Sequence, residues 1–265
     1  MLYNDHFQNY KSYQIPKAQL VIADIPYNVG KNAYGSNPSW YKGGDNKNGE
    51  SKLANTEFFD TDKDFRISEF LHFCSKLMKK EPKEKGKSPS MIVFCAFEQQ
   101  FEIIQKAKEY GINNYINLVF RKNFSAQVLK ANMRVVGNAE YALLLYRDKL
   151  PKFNNNGKMV FNILDWVKDG DTEKIHPTQK PIALLETLIK IFTDEGDVVI
   201  DPVAGSGSTL IAADNCGRKS YGFEIKKNFF KDATKLIEQS RIRNKEIKEF
   251  GYSKTELSKD SPILF

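Results

Sequence analysis

Short apolar runs alternate with amphipathic segments along most of the chain. Seven runs have the length and composition of buried strands, and they lie at 2–5, 19–23, 91–96, 117–121, 139–146, 198–200 and 220–223. Between them, apolar side chains recur at helical spacing over 67–80, 98–110, 182–192, 209–214 and 228–250. Strands that alternate with helices predict a doubly wound α/β fold with a seven-stranded, mostly parallel sheet.

Acidic residues stand where four of these strands end. They are Asp5, Asp24, Asp201 and Glu224. The carboxyl ends of parallel strands lie along one edge of a sheet, and ligands of such sheets bind beyond that edge. We therefore expect these four carboxylates to border one site.

A glycine-rich turn follows the strand at 198–200. Gly205 and Gly207 let the backbone approach a ligand closely. Leu210 stands where a dinucleotide fingerprint has its third glycine, and no Lys-Ser/Thr pair follows to form a phosphate-cradling loop. Glu224, about 20 residues further on, can accept hydrogen bonds from ribose hydroxyls. The pattern favours an adenosine without a pyrophosphate, and the alternative is an ordinary strand-turn-helix without a ligand.

Composition narrows the class of protein and its partners. The 265 residues carry a net charge of +7, which favours a polyanionic partner over an indifferent basic surface. Cys74, Cys95 and Cys216 are far apart and form no metal-binding pair, so we expect reduced thiols, a cytoplasmic location and no metal. No apolar run approaches 18 residues and no signal-peptide core is present, so no membrane association is expected.

Three motifs follow one another in a specific order. They are Asp24-Ile25-Pro26-Tyr27, the His-Pro-Thr-Gln-Lys-Pro run at 176–181, and the Asp-Pro-Val-Ala-Gly-Ser-Gly-Ser-Thr run at 201–209. Together they resemble the DNA amino-methyltransferases of the permuted beta class, of the adenine-N6-specific type. In that class the catalytic tetrapeptide precedes the S-adenosylmethionine motif. The resemblance covers roughly residues 1–30 and 90–240 and implies a Rossmann-like methyltransferase fold.

The resemblance assigns roles to individual positions. It implies catalytic roles for Asp24, Ile25, Pro26 and Tyr27. It implies binding of S-adenosylmethionine by Asp5, Thr178, Lys180, Asp201, Val203, Gly205, Ser206, Gly207, Thr209 and Glu224. Among these, Asp5 resembles the acid near the cofactor's adenine, and Thr178 and Lys180 would close over its methionine end. Two positions depart from the family pattern: Ile25 replaces a proline, and Val203 replaces a phenylalanine.

The expected chemistry concerns an exocyclic amine of a base in double-stranded DNA. Its nitrogen is a weak nucleophile because its lone pair is delocalised into the ring. The Asp24 carboxylate and the Ile25 carbonyl would hold its two N–H bonds and favour a tetrahedral nitrogen. A base inside a duplex must first be flipped out. Tyr27 offers a face for stacking that base, and Phe124 is the candidate for the other face.

Two regions outside the strand-helix pattern are candidates for contacts with DNA. We interpret residues 1–265 as one methyltransferase domain, in which the mobile loop 29–64 closes over the flipped base. Residues 122–138 with 150–175 would form a target-recognition insertion. The residues expected to bind DNA are Arg121, Lys122, Phe124, Lys130 and Arg134. The alternative for 122–138 is a charged hairpin connection.

Other functions stay open on the sequence alone. Transfer to cytosine N4 is the nearest alternative, although cytosine-specific relatives more often have serine at the position of Asp24. A non-catalytic DNA-binding protein on a degenerate methyltransferase scaffold is a second alternative, supported by Ile25 and Val203. The sequence leaves a homodimer open. It shows no nuclease motif, so the nuclease of a restriction-modification pair, if there is one, lies on another chain.

Overall fold

A computed structural model describes residues 1–27, 65–123, 137–166 and 179–250. Within these ranges one sheet contains β1 (Leu2–Tyr3), β2 (Leu20–Asp24), β3 (Ser90–Cys95), β4 (Asn114–Lys122), β5 (Ala139–Tyr146), β6 (Ile163–Trp166), β7 (Val198–Asp201) and β8 (Lys219–Phe223). The helices are α1 (Ile67–Leu77), α2 (Gln99–Glu109), α3 (Ile182–Phe192), α4 (Ser208–Asn215) and α5 (Lys227–Phe250), with a 3-10 helix at Phe7–Ser12. The predicted doubly wound α/β architecture is confirmed.

The central strands are buried on both faces, as their unbroken apolar sequences indicate. Along β2, Leu20 and Ile22 point into one layer of the core, while Val21 and Ala23 point into the other. The first layer is closed by α3 and α4, and the second by α1 and α2. Burial of each large aliphatic side chain stabilises the fold by about 1.5–3 kcal/mol.

The strand order is β1-β8-β7-β2-β3-β5-β4-β6. From β7 the chain continues outward through α4 to β8, and from β2 it continues through α1 to β3 on the opposite side. The order therefore reverses between β7 and β2, which is where ligands bind in doubly wound sheets. Strand β5 is antiparallel to β3 and β4, and all other pairs are parallel.

Strand β6 was not predicted. Its residues lie in the polar region 150–174, which has no clear periodicity, and they pair in parallel with the end of β4 at the edge of the sheet. Only Trp166 of this strand is buried. Pairing with β4, which is distant in sequence, supplies the main-chain hydrogen bonds of β6, and the local pattern of apolar and polar residues does not predict this pairing.

Several expectations concern residues outside the described ranges. They are the loop 29–64, the candidate DNA contacts Phe124, Lys130 and Arg134, the cofactor residue Thr178, and parts of the two target-recognition segments. Among the described residues, no helix has the length and hydropathy needed to cross a membrane. No group of three His, Cys, Asp or Glu side chains in the same ranges could hold a metal ion.

Candidate active site

The acidic residues predicted to share one edge of the sheet do so. Asp24 ends β2, Asp201 ends β7, and Glu224 follows β8. The Glu224 N–H donates to the Tyr3 carbonyl at 3.0 Å, which brings Glu224 beside the end of β1 and hence near Asp5. Burial is the main cause of the raised pKa of Asp201, and the charges of Asp24 and Glu224 add to it, so the three carboxylates interact at the strand ends that border the crevice of a doubly wound sheet.

Asp201 is turned inward and holds the glycine-rich turn. Its side chain is buried, its Oδ1 accepts the Val203 N–H at 3.0 Å, and it is hydrogen-bonded to Thr209. Burial raises the pKa of Asp201 to about 7, although both hydrogen bonds oppose the shift. The buried Asp201 carboxylate therefore fixes the backbone of the glycine-rich turn through these hydrogen bonds. The Val203 side chain packs against the core.

Glu224 and the glycine turn are joined directly. Gly205 has a φ of 51°, and its N–H donates to Glu224 Oε2 at 2.9 Å. The Lys226 N–H donates to Glu224 Oε1 at 2.8 Å. Burial raises the pKa of Glu224, and these main-chain donors oppose the shift. A carboxylate fixed by two N–H groups is held in one orientation, as a hydrogen-bond acceptor for a bound ligand needs to be.

Gly207 is required for packing as well as for the turn. Its φ is 76°, and a Cβ built at this position would lie 2.9 Å from Ile237 Cδ1 on α5. Beside it, the hydroxyls of Ser206 and Ser208 are hydrogen-bonded at 2.8 Å and buried. Both glycines predicted from the sequence thus lie in backbone that favours glycine, and Gly207 has a second, steric reason.

Asp5 is fixed by three donors from its own segment. The His6 N–H and Asn9 Nδ2 each donate to Oδ1 at 2.7 Å, and the Tyr13 hydroxyl donates to Oδ2 at 2.8 Å. The hydrogen bonds from Asn9, Tyr13 and His6 lower the pKa of Asp5, in that order of effect. It is therefore an ionised, oriented carboxylate at the edge of the crevice.

The tetrapeptide after β2 is clamped at its backbone. The Ile25 N–H donates to the Phe94 carbonyl at 3.2 Å, and the Pro26 carbonyl accepts from Gln99 Nε2 at 2.8 Å. Gln99 in turn accepts the Ala96 N–H at 2.9 Å. The Ile25 side chain is buried in the core layer closed by α1 and α2, so isoleucine is accommodated at this position. Sequence reasoning missed Gln99, because its role depends on how α2 meets the end of β2.

The two oxygens of Asp24 are placed differently. Oδ2 accepts from Lys180 Nζ at 2.5 Å, whereas Oδ1 is buried and makes no hydrogen bond of normal geometry among the described residues; the neighbouring Tyr27 hydroxyl interacts with Asp24 and lowers its pKa. Burial raises the pKa of Asp24, and the nearby Lys180 ammonium offsets this only in part. The Tyr27 hydroxyl is likewise buried without a hydrogen bond of normal geometry; burial, and then the nearby Asp24 carboxylate, raise the pKa of Tyr27 well above its ordinary value. A buried acceptor without a good hydrogen bond is costly, and a bound ligand can supply the missing donor.

Lys122 and Lys180 are placed differently from the contacts expected of them. Lys122 is buried and ion-paired with Glu140, so in this structure it does not offer its charge to a DNA phosphate. Lys180 contacts Asp24 and Glu140, with Nζ 3.2 Å from Glu140 Oε2. Only Arg121 of the described DNA candidates is exposed, and it pairs with Asp165 at 2.7 Å.

Glu140 is the second residue that sequence reasoning missed. It lies at the start of β5, and because β5 runs antiparallel, the start of this strand lies at the edge where the parallel strands end. The search for acids at strand ends overlooked it, since strand direction cannot be read from an apolar run.

Fold and site together define a methyltransferase of the doubly wound type. The chain belongs to the DNA methylase family N6_N4_Mtase, whose model matches residues 18–235, and it is a DNA methyltransferase. This confirms the resemblance given by the three motifs. Family membership supports an enzyme over the non-catalytic alternative.

Individual relatives agree with this assignment. The chain is 26% identical over 252 residues to the DNA adenine methyltransferase YhdJ of Escherichia coli (strain K12), covering 87% of this chain and 80% of YhdJ. A shorter match to YubD of the same organism is 32% identical over 139 residues, 52% of this chain and 57% of YubD. Among solved structures, M1.HpyAVI, also solved as its S-adenosylmethionine complex, matches with a TM-score of 0.61 at 22% identity and shares the fold; the match covers 89% of this chain and 98% of that one.

Proposed function

We propose that the enzyme transfers a methyl group from S-adenosylmethionine to the exocyclic N6 amine of a flipped-out adenine in double-stranded DNA. The observation that carries this proposal is the buried Oδ1 of Asp24, which makes no hydrogen bond of normal geometry among the described residues and lies beside the clamped Ile25 backbone. Aspartate at this position, where cytosine-specific relatives more often have serine, favours adenine. The similarity to YhdJ, which is named a DNA adenine methyltransferase, supports the same target.

The residues at the crevice suit S-adenosylmethionine. Glu224 is oriented by two main-chain donors and can accept hydrogen bonds from ribose hydroxyls. The turn at Gly205 and Gly207 offers backbone without side chains, and Asp5 is an ionised acceptor at the end of the crevice. When bound, the cofactor supplies an electrophilic methyl group on a positively charged sulfur. Among the described carboxylates, Asp5 has a lowered pKa and adds negative potential at this edge.

Asp24 and Ile25 would hold the substrate amine. Asp24 Oδ1 accepts one N–H and the Ile25 carbonyl accepts the other, so the nitrogen is favoured in a tetrahedral form with its lone pair free. The hydrogen bonds to Phe94 and Gln99 fix the main chain on both sides of that carbonyl. Catalysis of this kind depends mainly on positioning and on fixed charges that need no reorganisation.

Tyr27 would receive the flipped base. Its ring is partly exposed at the end of the tetrapeptide, and stacking on an aromatic side chain contributes about 1–3 kcal/mol per base. That gain offsets the few kcal/mol needed to unstack the base. Arg121, exposed at the end of β4, remains the described candidate for contact with DNA.

The product identifies the target. The enzyme is incubated with labelled S-adenosylmethionine and genomic DNA that lacks methylation, and the DNA is then digested to nucleosides and sequenced for modified sites. We expect N6-methyladenine within one short sequence. N4-methylcytosine would instead support the cytosine alternative, which the family's joint N6_N4 name also covers.

Asp24→Ala is the matched control variant. We expect it to abolish methylation and to leave cofactor affinity largely intact, because Asp24 acts on the substrate amine. Near-normal turnover by this variant would place the catalytic centre elsewhere.

A further inference from the structure

Four side chains of alternating charge form a line that ends at Asp24, the first residue of the tetrapeptide. Lys122 Nζ contacts Glu140 Oε1, Glu140 Oε2 lies 3.2 Å from Lys180 Nζ, and Lys180 Nζ lies 2.5 Å from Asp24 Oδ2. Each oxygen of Glu140 thus serves a different lysine. The line ends at Asp24, whose Oδ1 makes no hydrogen bond of normal geometry among the described residues.

Aromatic rings surround the centre of this line. Lys180 Nζ lies 5.1 Å from the ring centroid of Phe94, 5.6 Å from that of Trp166 and 5.9 Å from that of Tyr27. Lys122 Nζ lies 4.8 Å from the Trp166 ring. Water is largely excluded from Lys180, whose side chain is 6% exposed. Charges in such surroundings interact strongly, and removal of one partner leaves the other uncompensated.

We propose that Glu140 is a positioning residue for the methyl transfer. It holds the Lys180 ammonium so that this group contacts Asp24 only through Oδ2, which leaves Oδ1 to accept the N–H of the substrate amine. The proposal rests on the function proposed above for Asp24. Glu140 acts through Lys180 and does not contact the reacting atoms.

The geometry explains why a second carboxylate is needed. An ammonium has three donors, and with Asp24 as its single carboxylate partner Lys180 could bridge both oxygens of Asp24. The substrate amine would then lose its acceptor. The reaction also builds positive charge on the attacking nitrogen, and Glu140 offsets the positive charge that Lys180 places close by.

Removal of the Glu140 charge also changes the proton affinity of Asp24. The negative charge of Glu140 adds to burial in raising the pKa of Asp24, while Lys180 lowers it. Without Glu140 the pKa of Asp24 falls, so the acidic limb of the pH-rate profile moves to lower pH. The charged and titratable groups facing Asp24 from the neighbouring elements are Lys180, Glu140, Tyr27, Cys95 and Asp201.

The test compares Glu140→Gln with the wild-type enzyme. We expect kcat to fall about 10- to 100-fold, the scale of a reacting group misplaced by up to about 1 Å. The KM for the cofactor should stay within about twofold of the wild-type value, since Glu140 does not contribute to cofactor binding. The acidic limb of the pH-rate profile should move to lower pH. A structural defect alone would reduce kcat at every pH equally, and that outcome, or an unchanged profile, would overturn the proposal.

Further variants separate position from stability. The double variant Lys122→Met/Glu140→Gln removes both charges of a neighbouring ion pair, so it leaves no buried Lys122 charge without a partner if the single variant misfolds. Its pH-rate profile should show the same shift of the acidic limb to lower pH. Asp194→Asn breaks a different ion pair, with buried Lys152, and should leave the limb in place. In a Lys180→Met background, Glu140→Gln should cost little further kcat, because its effect passes through Lys180.

The two proposals fail in distinguishable ways. If the wild-type enzyme forms no N6-methyladenine, or if Asp24→Ala is active, the proposed function fails. Suppose that the wild-type enzyme is active and Asp24→Ala is inactive. If Glu140→Gln then has the kcat and the pH-rate profile of the wild type, only the role of Glu140 is refuted.

Discussion

Replacement of Gly207 by alanine tests how the glycine turn is joined to the helical layer. The residue has a φ of 76°, and the added Cβ would lie 2.9 Å from Ile237 Cδ1 and 3.3 Å from Ile237 Cγ1. A left-handed conformation costs an L-residue about 1–2 kcal/mol. Overpacking adds about 1–3 kcal/mol. We therefore expect Gly207→Ala to lower the free energy of unfolding by about 2–5 kcal/mol.

Gly196→Ala is the matched control for the backbone contribution. Gly196 has a φ of 80°, and among the described residues nothing beyond its own chain neighbours lies within 4 Å of the position of its Cβ. Only the conformational cost of about 1–2 kcal/mol applies there. The difference between the two variants therefore isolates the collision with Ile237. Ile237→Val removes Cδ1, the nearest atom, and in that background Gly207→Ala should be less destabilising.

Urea denaturation of the four variants and the wild type measures these differences from the unfolding midpoints and slopes. Equal losses for Gly207→Ala and Gly196→Ala would refute the packing explanation. An unaltered loss in the Ile237→Val background would do the same.

Three further outcomes are expected. Glu224→Ala should weaken binding of S-adenosylmethionine by about 1.5–3 kcal/mol, and unchanged affinity in calorimetry would remove Glu224 from the site. The pKa of Asp201 is about 7 in the folded protein against an ordinary 3.8, so the protonated side chain favours folding. Its contribution to the free energy of unfolding is complete below about pH 4 and is lost as the pH rises through about 7. Asp201→Asn should therefore unfold less readily than the wild type at pH 8, by up to about 4 kcal/mol, with little gain at pH 4; equal gains at both pH values would contradict this. Arg121→Ala should either relax specificity at one base position by about 1–3 kcal/mol, if Arg121 contacts a base, or weaken binding to all DNA sequences alike, if it contacts a phosphate. Both properties are measured on a library of sites, and Asp165→Ala is the control, because it removes the ion-pair partner of Arg121. No change in specificity or in affinity would exclude Arg121 from the interface.

Much of the fold follows from local pattern. Fully apolar runs such as β3 and β7 are strands because both faces are buried, and helices such as α3 show their buried stripe directly in the sequence. The convergence of Asp24, Asp201 and Glu224 follows from the same pattern, because parallel strands end at one edge.

The contacts inside the site could not be predicted in this way. Lys122 is the last residue of β4 and has the chemistry of a DNA contact, yet it is buried against Glu140, which lies on the antiparallel strand β5. Lys180 belongs to a motif associated with the cofactor, yet its ammonium lies on Asp24, which is distant in the chain. Both outcomes depend on strand order and direction, which are properties of tertiary pairing and leave no local periodic signal.

A short pairing between β2 and β7 joins the two halves of the sheet, and α3 and α4 pack across both halves. These strands are aligned over two residue pairs, whereas β2 and β3 are aligned over five. The proposed base-handling residues Asp24, Ile25 and Tyr27 lie within 18–166, whereas most of the proposed cofactor-binding residues lie within 179–250, with Asp5 and Thr178 as the exceptions. A single crossover between 166 and 179 would therefore place α3 and α4 of one relative against β2, β3, β4 and β5 of another. Both parents must share these apolar contacts as well as the ion pair between Lys180 and Asp24, so target choice can diverge only among relatives whose cores match.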